Sequence, residues 1–224
     1  MTLPVLSGWQ NLTAAGAVTL RCWWARPAGQ APRAAVLVPW AVPTIVAAQM
    51  WGWIYHDQFG LLNDLLLRLG LIGQPLAWTA DPDLTMAAVV LADVWKTTPF
   101  MALLLMAGLT LVPEDLLRAA RVDGASALQR LFRITLPVMK PAILVALLFR
   151  TLDAFRIFDT VFVQTRGAQS TESVSIVGYH TLITRLNLGL GSAVSVLIFA
   201  CVVIIALLFL KGFGTALARG EGER

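Results

Sequence analysis

The sequence predicts an all-α polytopic membrane protein, and three observations carry that prediction. The composition is 58% apolar and only 13% charged, with a mean hydropathy of +0.74. An average soluble domain is about half apolar and about a quarter charged. Four stretches are mostly apolar over the roughly 20 residues that a spanning helix needs. The seventeen Lys and Arg segregate to one set of loops. A chain of 224 residues with so little polar surface cannot cover a soluble globule. This excludes a soluble enzyme, a nucleic-acid binder and a disordered tail. The net charge of +4 comes from basic residues between apolar runs, as in a membrane protein with basic cytoplasmic loops, not from a nucleic-acid face.

Taken in order, residues 1–33 have no firm assignment. Leu3 to Leu20 is mildly apolar, carries Gly, Gln, Asn and Thr, and lacks the basic start of a secretory signal; whether it spans is left open. The spans are expected at about 34–55, 84–112, 138–163 and 192–213, followed by a tail over 214–224. With residues 1–33, the loop 113–140 and the C-terminal end from Lys211 onward on one side, that side holds eleven Lys and Arg. The opposite loops, 56–83 and 164–191, hold three, and three more lie within apolar runs. This bias makes the first set cytoplasmic. In the outer loop, Trp51, Trp53 and Tyr55 suit a membrane–water belt, and Leu61 to Leu71 reads as a short surface helix. Its aspartates (57, 64, 81 and 83) read as a solvated face. Gln164 to Ser175 reads as an outward polar loop, and Pro43 and Gly189–Gly191 as kink or hinge points.

Conventional chemistry is absent from the sequence. Cys22 and Cys201 form no CxxC, His56 and His180 stand alone, and no GxxxxGK[ST] loop occurs. No catalytic residue, metal site or cofactor is assigned. No titratable pair stands with a nucleophile at catalytic spacing, which disfavours a membrane-embedded enzyme.

Charges inside apolar runs are the exception. Arg150, Asp153, Arg156 and Asp159 stand at i, i+3 steps with alternating sign. A charge at the bilayer centre costs about 2.5–3.5 kcal/mol on insertion scales, so this stripe is expected to face the bundle, water or an interface. Two readings stay open: ion pairs that lock the bundle, or a polar wall of a transport path. Asp93 and Lys96 form a second such pair, around Trp95, and Pro99 is expected to interrupt that helix. Trp95, Phe155 and Phe158 are aromatic candidates for stacking on a ligand, or simple packing residues.

The strongest local signal lies at 113–137. Pro113 suits a first helical position, and Glu114 and Asp115 favour the helix dipole. The helix should run to about Val122 and stop at Gly124. Ser126 and Gln129 make a capping box for a second short helix ending near Leu136–Pro137. Leu116, Leu117, Val122, Leu128, Leu131 and Phe132 either pack on the bundle or enter a partner's groove.

This stretch resembles the EAA loop of the permease subunits of ABC importers. Ala119–Ala120, Gly124, Ile134 and Leu136–Pro137 stand at the family spacing, with Asp123–Gly124–Ala125 and Phe132 in its extended form. Arg118 stands where the family has Glu, which should change one contact with the ATPase or be met by an acidic partner. From Ala34 to Phe213 the chain is similar to the carbohydrate-importing branch, through Pro39–Trp40–Ala41–Val42–Pro43, Trp95–Lys96–Thr97–Thr98–Pro99–Phe100 and Ala107–Gly108–Leu109. Leu148 to Asp159 resembles the mycobacterial type of trehalose permease.

The resemblance implies a type I importer permease bundle, maltose-permease-like, in a bacterial inner membrane. Permeases of this branch are longer, so the chain is expected to lack the family's first one or two helices. It implies transport of trehalose or a related disaccharide, with ATP hydrolysis in separate chains. The implied partners are a second permease subunit, two ATP-binding subunits docking on 113–137, an extracytoplasmic sugar-binding lipoprotein and membrane lipid. ATPase coupling would fall to Arg118, Ala119, Ala120, Asp123, Gly124 and Ala125. The translocation path would draw on Asp93, Trp95, Lys96, Arg150, Asp153, Phe155 and Arg156. The alternatives are a static membrane scaffold and a truncated, non-functional permease fragment.

Overall fold

The computed structural model of the chain describes residues 37–221, with side chains over 37–211. The expectations for Leu3–Leu20, Arg21, Cys22, Arg26 and Arg33 lie outside the described residues. Every regular element among them is helical. Residues 37–41 are helical and end at a bend; α1 then runs Thr44–Ile54. Pro43 has no N–H and steers the residue before it away from the helical region. The apolar run expected as one rod is therefore broken in two.

In the loop that follows, α2 covers Leu61–Arg68. It stops short of Leu71 because Gly70 takes φ +68°. The Gly70 N–H donates to the Leu67 carbonyl and the Leu71 N–H to the Leu66 carbonyl, a Schellman stop. The aspartates of this loop are not a uniform solvated face. Asp64 pairs with Arg68 at 3.0 Å, and Asp81 caps the next helix by accepting from the Asp83 N–H at 2.9 Å.

That next helix, α3, runs Pro82–Leu109 and passes through Pro99 without a break. The proline removes one ladder hydrogen bond. The Thr97 and Thr98 hydroxyls donate back to the Asp93 and Val94 carbonyls in the turn before it, and the packed neighbours hold the helix together.

Helix α4 spans Glu114–Val122, with Pro113 as its N-cap rather than its first helical residue. Helix α5 is the single turn Ala127–Arg130, capped by the Ser126–Gln129 box. It does not end near Pro137. A π-turn, Leu131–Thr135, leads straight into α6, Leu136–Phe155. The wider turn shifts the hydrogen-bond register just where Pro137 offers no N–H.

The chain breaks at 156–158 and resumes as α7, Asp159–Gln164. Helix α8, Val174–Tyr179, runs into a π-turn at His180–Thr184. Helix α9, Leu188–Glu221, completes the described chain. Gly189 and Gly191 lie in the first turn of α9, where a Cβ on Gly191 would lie 2.9 Å from the Leu182 backbone.

Among the described residues, three helical stretches are long and apolar enough to cross a membrane: Pro82–Leu109, Ala127–Gln164 and Leu188–Lys211. Helix α3 packs on α6, α6 on α9, and α7 on α1. The main core holds Met101, Ala102, Leu105, Val112, Met139 and Ala146. Beside it α3 and α6 approach closely, since a Cβ on Gly108 would meet the Ala142 Cβ at 2.4 Å. Small residues permit such crossings in membranes. On α9, Val196, Leu197, Phe199, Leu208 and Leu210 are exposed, as suits an acyl-chain or helix-packing surface.

Candidate functional site

Two local features distinguish this bundle from a plain apolar one. The first is a cavity of about 640 Å³. Its lining comes from three places: the bend at 40–44, one face of α3, and the break between α6 and α7. Both breaks thus open onto one space. Of the residues assigned to a path, Asp93, Lys96, Asp153 and Arg156 line it, together with Asp159. Arg150, Trp95 and Phe155 do not belong to the lining.

The ion pairing differs from the expected i, i+3 stripe. Arg150, at 2% exposure, pairs with Asp93 across the α3–α6 interface and with Asp153 at 2.9 Å along its own helix. Asp93 therefore answers to Arg150, not to Lys96. The Lys96 ammonium instead donates to the Val42 carbonyl at 2.6 Å, at the bend before Pro43. Arg156 lies in the α6–α7 break and Asp159 begins α7, so the stripe does not continue along one helix. No proline or glycine marks that break. Its Arg156 carbonyl accepts from the Ser175 hydroxyl at 3.2 Å, tying it to α8.

The aromatic residues divide. Trp95 meets Trp51 edge-on at 5.7 Å, in a packing cluster beside buried Tyr55, whose hydroxyl donates to the Ala88 carbonyl. Phe158 lines the cavity and stacks on Phe162. Trp40 also lines it, half-exposed, and sequence reasoning missed it as a functional residue. Its signal was positional: it stands three residues before the proline that breaks the helix.

The second feature is the 113–137 segment. Gly124 takes φ +77°, the Gly124 N–H donates to the Arg121 carbonyl and the Ala125 N–H to the Ala120 carbonyl. The stop is therefore of the same Schellman type as at Gly70. No residue of α4 is buried. Arg118 pairs with Glu114 at 2.9 Å and with Asp115 at 3.7 Å, so acids of its own helix meet the cation. Ala119, Asp123 and Gly124 are exposed, and Ala120 and Ala125 half-buried. Leu116, Val122, Leu128 and Phe132 stand outward, while Leu117 packs on the core. The segment presents an exposed surface of apolar side chains flanked by charges.

The family model described as "Binding-protein-dependent transport system inner membrane component" matches residues 23–221. The trehalose transport system permease protein SugA of Mycobacterium tuberculosis is 55% identical over 189 residues, covering 84% of this chain and 60% of that protein. The trehalose/maltose transport system permease protein MalF of Thermococcus litoralis is 46% identical over 181 residues, covering 80% and 60% respectively. The chain thus spans about 60% of the length of these curated relatives. A permease-fold likeness comes from the crystal structure of a bacterial alginate ABC transporter in complex with an alginate-pentasaccharide-bound periplasmic protein. Its TM-score is 0.84 at 20% identity, covering 94% of this chain and 74% of that one. The resemblance to the mycobacterial type of trehalose permease is borne out by these matches. The chain belongs to the family of binding-protein-dependent transport system inner membrane components.

Proposed function

We propose that this chain is the membrane-spanning subunit of an ATP-driven importer, that it lines the path of trehalose or a related disaccharide, and that it couples to ATPase subunits through 113–137. The observation that carries the reading is the charge-lined cavity between two helix breaks in an otherwise apolar bundle. Broken helices with polar walls at membrane depth are a recurrent way to build transport sites. The relatives named for trehalose and trehalose/maltose transport supply the substrate class.

In this reading 113–137 and the tail face the cytoplasm of a bacterial cell, consistent with the basic bias of those segments. Asp93, Lys96, Asp153 and Arg156 form the polar wall, and Arg150 acts through Asp93 and Asp153. Trp95 and Phe155 join the path only where it widens beyond the cavity. Arg118, Ala119, Ala120, Asp123, Gly124 and Ala125 dock on an ATP-binding subunit. A second permease subunit pairs with this chain in the membrane, and a sugar-binding lipoprotein delivers substrate from outside. The chain performs no covalent chemistry. ATP binding closes the two ATPases, moves the docked helix pair and opens the path outward; hydrolysis resets it.

The test is co-purification from membranes with the candidate ATPase and sister permease, comparing wild type with Gly124→Trp. A Cβ on Gly124 meets nothing within 4 Å in this chain, so the indole would obstruct a partner while its φ adds local strain. The expected result is a wild-type complex that loses its ATPase in the variant, with sugar uptake lost at normal membrane levels. A variant that keeps both its ATPase and its uptake sinks the coupling assignment.

A further inference from the structure

The stretch that leads from 113–137 into α6 carries cations without a counter-charge. No Asp or Glu occurs between Asp123 and Asp153, whereas Arg130, Arg133, Lys140 and Arg150 fall in that interval. Arg150 is met by Asp93 of α3 and by Asp153. Among the described residues, no ion pair engages the side chains of the other three. Arg118, by contrast, is matched by Glu114 and Asp115 within α4. Arg130 is half-buried, and its Nε is shut off from water without an acceptor. An orphaned donor of this kind asks for a group from outside the chain. Arg133, Pro137 and Lys140 are exposed and follow at i, i+4 and i+7, so the two cations share a face.

Depth in the membrane selects the partner. The helical stretch Ala127–Gln164 has 38 residues, and a span needs about 20. Its beginning therefore projects beyond the hydrocarbon. From Pro141 to Phe149 there is no charged residue, so Lys140 stands where the apolar run begins. Arg133 lies about 10 Å earlier along the axis, at roughly 1.5 Å per residue. The polar headgroup layer is about 5–7 Å deep on each side of a bilayer, and long basic side chains reach into it from either edge.

We infer that Arg130, Arg133 and Lys140 form a binding site for the phosphate of an anionic phospholipid in the leaflet that borders this end of α6. The guanidinium groups take phosphate oxygens through paired N–H donors, and the ammonium adds a point charge. The acid-free interval sets the selectivity. A zwitterionic headgroup brings a cation of its own, which finds no acid along this stretch. The occupant is a lipid and not a soluble phosphate because the cations adjoin an apolar run, where exposed Val145 and Phe149 offer a surface to acyl chains. The ATPase-docking residues proposed above, 118–125, lie on α4 and its stop and are not part of this site. The inference needs only that α6 crosses the membrane, so it stands or falls apart from the transport reading.

The test uses the full chain with its sister permease and ATPase, reconstituted in phosphatidylcholine vesicles. Spin-labelled phosphatidylglycerol and spin-labelled phosphatidylcholine report the relative association of the two lipids with the protein. Wild type is expected to prefer phosphatidylglycerol. Arg130→Gln, Arg133→Gln and Lys140→Gln should each lower that preference, by up to about fivefold, the factor one cation near a charged membrane surface supplies. The triple variant should lose most of it; if that variant fails to assemble, the single variants decide. Arg133→Lys keeps the charge and should keep most of the preference. Arg121→Gln, exposed on α4, should leave it unchanged. Equal loss in Arg121→Gln and Arg133→Gln overturns a defined site in favour of general surface charge. A wild type that treats the two lipids alike overturns the lipid assignment, as does a preference that excess inorganic phosphate abolishes. Variants that keep the preference but shed the ATPase give these cations to the partner protein and overturn it too.

Discussion

At the scale of single residues, Asn63 is a hub of hydrogen bonds outside the membrane-spanning stretches. It is 3% exposed. Its Nδ2 donates to the Asp57 carbonyl at 3.0 Å and the Leu76 carbonyl at 2.9 Å. Its Oδ1 accepts from the Leu76 N–H at 3.2 Å and the Trp78 indole N–H at 2.9 Å. Asn63→Ala removes these bonds and leaves partly buried groups at Leu76 and Trp78 without this partner, at a cost of at most about 1–3 kcal/mol each. The segment 56–81 should then lose order locally while the helices stay intact. Hydrogen exchange in reconstituted membranes reads this directly, and unchanged protection over 56–81 would contradict it. Nothing in the sequence marked Asn63, because its partners are 6, 13 and 15 residues away. Gly124, Pro43 and the Ser126–Gln129 box were legible because each acts on its own turn of backbone, where local rules decide.

At the scale of elements, the α3–α6 crossing is set by the pair Gly108 and Ala142. A methyl on Gly108 would lie 2.4 Å from the Ala142 Cβ, closer than carbon atoms approach, so the helices must separate or tilt. Gly108→Ala should destabilise by about 1–3 kcal/mol, the usual range for overpacking, despite the better helix propensity of alanine. Ala142→Gly in the same chain should restore most of that loss by vacating the space. Thermal midpoints in detergent test both steps. A Gly108→Ala chain as stable as wild type, or one that Ala142→Gly does not rescue, would show that the crossing tolerates more separation than its geometry indicates. Elements were read from the sequence unevenly. The apolar runs and the stop after Val122 follow from composition and backbone preference. The break at 156–158 and the π-turn at Leu131–Thr135 do not. The first has no Pro or Gly, and the second is a register shift that leaves the apolar pattern continuous.

At the scale of the whole molecule, the pairing of Arg150 with Asp93 joins two spanning helices whose contributing residues are 57 apart in sequence. The sequence showed which charges lie inside the apolar runs but paired Asp93 with its neighbour Lys96. Local spacing cannot reveal a partner supplied by a different helix. Arg150→Met strands Asp93 with its carboxylate buried, and breaking a buried pair in this way costs roughly 3–5 kcal/mol. Asp93→Leu combined with Arg150→Met removes both charges and should recover most of the stability, since a buried pair is often replaceable by apolar side chains. The double variant also separates the two readings of these charges. If the pair only locks the bundle, the double variant is stable and transports at the wild-type rate. Asp93 lines the cavity beside Asp153 and Lys96, so the expected outcome is a stable, assembled complex whose sugar uptake falls at least tenfold. The measurements are the thermal midpoint in detergent and uptake in vesicles, on the same preparation. Stability recovered with full uptake would reduce Asp93 to a structural group and shift the polar wall to Asp153, Arg156 and Lys96.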